Sequence, residues 1–234
     1  ARKRRTDNVQ LWAVGQALAL KRSLDLYASA SRGTEGAFPE FYFFDCHSCH
    51  RRIYDQADAV KTGANNPGRP IPEGMPPYND ENMIMLSAAA RITAPASAGQ
   101  FDKASKDFHA ALALDRSSAI AAAKRLSIAA DNLADNFASG SFGSSQAFAI
   151  IETIATEAIA ARLTDYEGSV QAVMAVDTLL SALVRSGNIT QGAAAGIRAN
   201  VNRAYNAVRD PNAYRPSEFR SSIGAAASAV RSLR

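Results

Sequence analysis

Ala194-Ala-Gly-Ile-Arg-Ala-Asn-Val-Asn-Arg-Ala-Tyr-Asn-Ala-Val208 is the stretch that decides the fold class. Its apolar residues Ala194, Ile197, Val201, Ala204 and Val208 are spaced alternately three and four apart. That period puts them on one face of a helix and leaves Arg198, Asn202 and Arg203 on the others. The same spacing recurs at Phe219, Ile223, Ala226, Val230 and Leu233. It recurs again at Ile151, Ile154, Ala158 and Arg162, with Phe148 one turn earlier. Near the start, Ala13, Ala17, Leu20, Leu24 and Tyr27 repeat it, and Val14 and Leu18 widen the stripe. A strand would need alternation with period two, and no segment shows it. The expectation is an all-α helical bundle.

Breakers between the stripes set the element boundaries. Helices are expected near 8–32, 80–93, 99–116, 117–138, 145–163, 167–186, 190–209 and 216–232. They are separated by Ser139-Gly-Ser-Phe-Gly143, Thr164-Asp165, Gly187-Asn188 and Asp210-Pro211. Residues 62–78 hold five of the nine prolines and three glycines, which predicts an extended irregular loop. After Asn79 the composition becomes rich in Ala and Ser. The division this suggests is a segment 1–95 and an Ala-rich helical bundle 96–234 packing on it, the two forming one domain if their cores merge.

Cys46-His-Ser-Cys-His50 uses both cysteines of the chain and two of its three histidines. A C-x-x-C-H run is the attachment signature of a c-type haem. Two thiols at this spacing add across the two vinyl groups of one porphyrin, and the histidine that follows lies under the iron. Three other chemistries use a C-x-x-C. A thioredoxin-like pair would sit in a βαβ pattern, which is lacking here. A zinc site would need further Cys or His ligands, and one histidine is left. A disulfide across so short a loop closes little chain entropy. None of the three needs the fifth-position histidine. One covalent haem c is therefore expected on Cys46 and Cys49, with His50 as the proximal ligand. Asp45 is a good N-cap for a haem helix running towards Lys61.

A sixth ligand would separate electron transfer from small-molecule chemistry. His109, flanked by Phe101, Phe108 and Leu112 at the edge of an apolar helix face, is the first candidate. Met75, in Gly74-Met-Pro-Pro-Tyr78, is the alternative. Met83 and Met85 read as core residues of the next helix, and His47 points away from the plane that His50 defines. The aromatic run Phe38-Pro-Glu-Phe-Tyr-Phe-Phe44 offers Phe41, Phe43 and Phe44 as haem-pocket residues, or else a short buried strand. Arg51, Arg52, Lys61 and Arg69 are candidates for pairing with the haem propionates.

Residues 12–54 resemble the C-terminal haem segment of certain bacterial multihaem c-type cytochromes. In those proteins a helix with a Trp and a Gly-Gln or Gly-Arg pair precedes Pro-Glu-Phe-x-x-aromatic-Asp-Cys-x-x-Cys-His. The corresponding residues here are Trp12, Gly15-Gln16, Pro39-Glu40-Phe41, Phe44-Asp45 and the haem motif. The Pro/Gly-rich loop and the Ala-rich tail are similar in character. Relatives carry further haem motifs upstream, whereas this chain has a single one, and Arg51-Arg52 stands where acidic or neutral residues are usual. The resemblance implies electron transfer outside the cytoplasm, with Cys46, Cys49 and His50 in the roles given.

The 234 residues are 47% hydrophobic and 21% charged, with a formal net charge of +4. Two propionates would bring that to about +2, a weak preference for an acidic partner. Basic residues at Ala1-Arg-Lys-Arg-Arg5 read as a solvated end, so no nucleic-acid partner is expected. No run of about 18 uncharged apolar residues is present, so no transmembrane segment is expected. Haem c is attached after export in bacteria, so a periplasmic or cell-surface location is expected. Ala1 suits the residue after a cleaved leader or the start of the ordered part of a longer chain.

The expected function is that of an electron carrier or electron-relay subunit, with redox proteins or neighbouring cytochrome subunits as partners, in a homo- or hetero-oligomer. Two alternatives stay open. One is a haem enzyme or gas sensor with an open iron position. The other is a structural or assembly subunit whose helical tail is the functional part.

Overall fold

The computed structural model describes residues 7–31, 41–45, 75–159 and 166–233. Eight α-helices account for most of them, and no strand occurs among the described residues. In chain order they are α1 Asn8–Tyr27, α2 Glu81–Thr93, α3 Pro95–Leu112, α4 Arg116–Ser139, α5 Ser144–Ile159, α6 Tyr166–Arg185, α7 Gln191–Ala207 and α8 Pro216–Arg231. The chain is all-α.

Local chemistry sets the helix ends. The Asp7 carboxylate accepts from the backbone N–H of Val9 (2.9 Å) and Gln10 (3.2 Å), which starts α1. Asp115 caps α4 through Ser118 N at 2.8 Å, and Thr190 caps α7 through Ala193 N at 3.1 Å. Pro95 and Pro216 stand in the first turns of α3 and α8, where their missing N–H has no helical partner to lose. Gly187 has φ +79°, a left-handed conformation that turns the chain after α6 at little cost to a glycine.

α1 and α4 lie antiparallel. Asp25, near the end of α1, accepts a 2.6 Å bond from Ser127 in mid-α4. At the other end the Gln10 amide donates to the carbonyls of Phe137, Ala138 and Gly140 at 2.9–3.0 Å. α6 packs against α1, α2, α5 and α7, and α8 closes the bundle on α5 and α7. Alone among the described helices, α6 matches a membrane span in length and mean hydropathy. Its position in the bundle accounts for that, since a helix with neighbours on several sides is apolar around most of its circumference.

The stripes read from the sequence face inward. Ala13, Ala17, Leu20, Leu24 and Tyr27 are buried, as are Ala194, Ile197, Val201, Ala204 and Val208. Met83 and Met85 are core residues, at 2% and 0% exposure. Two expected members of stripes point outward instead: Leu18 at 48% and Leu233 at 42%. Leu18 falls outside the arc that α4 and α6 cover, and Leu233 lies beyond the last turn of α8. One continuous apolar core runs from Val9 to Val230 and crosses the expected division at 95/96.

Candidate functional site

Several site candidates lie outside the described residues: Cys46, Cys49, His50, Arg51, Arg52, Lys61, Arg69 and the helix expected from Asp45. The side chain of Phe41 and the stripe position Arg162 do as well. What the structure describes is the segment leading into the haem motif, the segment returning from the Pro/Gly loop, and the core that holds both.

Phe41–Phe43 form one 3-10 turn, and Phe44 then pairs with Tyr78 in an isolated antiparallel bridge. Asp45 N donates to Pro77 O at 2.8 Å, and Asn79 N donates to Phe43 O at 2.8 Å. The Asn79 amide also donates to Tyr42 O at 3.0 Å. A longer ladder would take a return bond from residue 77 to Asp45, and Pro77 has no N–H to give. The pairing among the described residues therefore ends at Asp45. Residues 75–78 run back alongside 43–45, so Met75 stands at the motif end of this clamp, half-buried against the core.

Aromatic packing anchors the clamp. Tyr78 is 1% exposed, and its ring meets Phe108 edge-on at 4.9 Å and Tyr27 at 5.8 Å. Phe43 stacks on Tyr78 at 6.2 Å and meets Tyr27 edge-on at 5.4 Å. The Tyr78 hydroxyl pairs with Ser23 Oγ at 2.8 Å, and burial pushes its pKa well above the ordinary tyrosine range. Phe43 and Phe44, expected as haem-pocket residues, are buried among these protein rings at 4% and 6%. Tyr42, at 77%, is the exposed ring beside the motif.

His109 is wholly buried, at 2%. Its Nδ1 lies 2.8 Å from the Ser105 carbonyl oxygen, and its Nε2 lies 2.9 Å from Asp80 Oδ2. Both neighbours are acceptors. Nδ1–H donates to the Ser105 carbonyl, whereas Nε2 and Asp80 Oδ2 lie close without the alignment of a hydrogen bond. Asp80 is itself 2% exposed, at the N-cap position of α2, where the helix dipole favours a carboxylate. A ligand role for His109 would require Nε2 to leave Asp80.

A second group of residues flanks the same clamp. The rings of Tyr166, at the start of α6, and Tyr214, before α8, lie 5.9 Å apart, and the Tyr214 hydroxyl pairs with Ser169 Oγ at 2.7 Å. Burial raises the Tyr166 pKa, and the carboxylates of Glu167, Asp210 and Asp45 raise it further. Asp45, the residue before Cys46, therefore lies within electrostatic reach of Tyr166 at the start of α6.

Reading the sequence alone places Tyr27 on the buried stripe of α1 and misses the parts played by Pro77, Tyr78 and Asp80. Pro77 and Tyr78 sit inside a stretch that reads as irregular loop. Asp80 has no local feature marking it as a partner of His109. Comparison of the chain with known protein families, with curated proteins and with solved structures finds no match.

Proposed function

We propose that the chain is a c-type cytochrome that transfers electrons through one covalently bound haem outside the cytoplasm, related to the bacterial multihaem cytochromes that residues 12–54 resemble. The observation that carries the reading is the run Cys46-His-Ser-Cys-His50. Its donor set fits haem c: two thiols at vinyl spacing and an imidazole immediately after. Cys46 and Cys49 would hold the porphyrin, and His50 would be its proximal ligand. When bound, the haem supplies a one-electron couple that makes and breaks no substrate bond.

The described residues support this reading by what they hold in place. The pairing of 43–45 with 77–79, packed on Tyr27 and Phe108, fixes where the motif starts. A rigid, apolar attachment limits the reorganisation that accompanies a change of charge on the haem. Arg51, Arg52 and Arg69 remain the candidates for pairing with the propionates.

For the sixth position the geometry favours Met75, half-buried at the motif end of the clamp, over His109, whose two nitrogens face Ser105 O and Asp80. The engaged histidine also favours a second reading. If Met75 does not reach the iron, the open position suits a haem enzyme or gas sensor.

Mass spectrometry and spectroscopy of one sample test both. The denatured chain is expected at its polypeptide mass plus one haem, with Cys46→Ala/Cys49→Ala giving the apo mass. A near-infrared charge-transfer band in the ferric protein, abolished by Met75→Ala, marks methionine ligation. Ready binding of carbon monoxide by the reduced wild type marks the open site. An apo mass for wild type made with haem-c maturation machinery would reject both readings.

A further inference from the structure

Charge is distributed unevenly along the chain. Residues 191–234 carry seven arginines against Asp210 and Glu218, a net +5, while the other 190 residues sum to −1. Every basic residue after Lys124 is arginine. Four of these arginines bracket the α7–α8 turn: Arg203 and Arg209 before it, Arg215 and Arg220 after it.

The turn is held firmly. Arg215 N donates to Ala207 O at 3.0 Å, its Nη2 donates to Asn206 O at 3.2 Å, and its Nη1 pairs with Glu218 at 3.0 Å. Asp210 caps the 3-10 turn Pro211–Ala213 through Asn212 N at 2.9 Å. Arg203, Arg209 and Arg215 are exposed. Behind the turn, Tyr214 is buried at 4% against Tyr166 and Ser169.

We propose that these arginines form the docking face for an acidic redox protein, set at the end of the bundle where the chain enters the haem motif. The proposal rests on the electron-transfer reading above. Three observations select a protein over a phosphate polymer. The bases are all arginine, a residue enriched at protein interfaces where lysine is depleted. Asp210 and Glu218 lie among them, which disfavours the dense charge of a phosphate polymer more than the wider-spaced carboxylates of an acidic protein. Asp7, Asn8 and Val9 line one cavity with Leu183, Arg185 and Ser186, so α1 and α6 run antiparallel, and Tyr166 with the turn behind it lies at the Tyr27 end of the bundle, where the clamp is packed. Complementary charge placement of this kind acts mainly on the rate of encounter.

The test compares two double substitutions of equal charge at opposite ends of the bundle. Arg209→Gln/Arg215→Gln removes charge from the turn, and Arg185→Gln/Arg231→Gln removes it from the far end. Stopped-flow oxidation of the reduced haem by hexacyanoferrate(III) is expected to slow about 3–10-fold in the turn variant at low salt, with the difference vanishing at high ionic strength. Oxidation by the cationic hexaammineruthenium(III) is expected to speed up in the same variant, and the far-end variant is expected to match wild type for both.

A haem-independent arm titrates poly-glutamate into each protein. Wild type and the far-end variant are expected to bind, and the turn variant to lose most of its affinity. Absence of a haem band rejects the electron-transfer reading, and the poly-glutamate arm then decides whether the turn binds an acidic chain. Equal effects from the two variants, or no effect from either, would overturn the docking face. Tighter binding of a single-stranded oligonucleotide or of phosphatidylglycerol vesicles than of poly-glutamate, lost in the turn variant, would overturn the choice of partner.

Discussion

His109→Ala is expected to make this protein unfold far more easily and, with the proposed haem attached, to leave the haem spectrum unchanged. His109 and Asp80 are each 2% exposed, with Nε2 and Oδ2 2.9 Å apart, and Nδ1 is bound to Ser105 O at 2.8 Å. Removing one member of a buried pair costs about 3–5 kcal/mol, because the other keeps its desolvation penalty and loses its compensation. At about 2–4 °C per kcal/mol for a chain of this size, the midpoint of thermal unfolding should fall by about 6–20 °C. Asp80→Asn keeps the shape and can still donate one bond to the ring, so its cost should be smaller, about 1–2 kcal/mol. Urea unfolding followed by far-ultraviolet circular dichroism measures both, and a double-mutant cycle isolates the coupling between them. A loss under about 1 kcal/mol for His109→Ala would refute the buried-pair account. A conversion to a high-spin haem, with new affinity for carbon monoxide, would make His109 the axial ligand and return Met75 to the role of a packed core residue.

The Gln10 amide closes the C-terminal end of α4 by donating to three carbonyls, so Gln10→Ala should cost about 1–2 kcal/mol in the same urea assay. Gln10→Glu should cost more than Gln10→Ala, since it sets a carboxylate against those oxygens; the reverse order would refute the capping role. Asp25 gives a pH signature. Burial raises its pKa, but the bonds from Lys21 (2.9 Å) and Ser127 (2.6 Å) outweigh that and leave it below the ordinary carboxylate value. A lowered folded pKa stabilises above the unfolded value, and that stability is lost as pH falls through the folded one. The deficit of Asp25→Asn should therefore be constant above about pH 5 and shrink below about pH 4. A deficit that stays flat to lower pH would contradict this.

Most of the bundle was legible because its information is local. The break between α2 and α3 is a single residue, Ala94, and Pro95 announces it: the residue before a proline is driven out of the helical region. Reading the second helix from 99 rather than 95 neglected that a proline is well placed in a first turn. Leu18 was misassigned because periodicity gives the direction of a side chain and not the width of the arc its neighbours cover. The C-x-x-C-H run stands out in the same local way, since five consecutive residues spell it, and the haem it implies is the proposal made above. The surroundings of the motif do not stand out. The bonds from Asp45 to Pro77 and from Asn79 to Phe43 join segments more than thirty residues apart, and a two-bond bridge leaves no periodic trace. His109 shows the same limit more sharply. On its own helix it reads as a boundary residue with an aromatic neighbour on one side, an environment equally suited to an iron or a carboxylate. The group beside its Nε2 is Asp80, at the cap of another helix 29 positions earlier, in a loop-like run where an aspartate reads as an ordinary N-cap. A titratable side chain is thus assigned by what the tertiary fold sets 3 Å away, and the sequence around it supplies only the candidates.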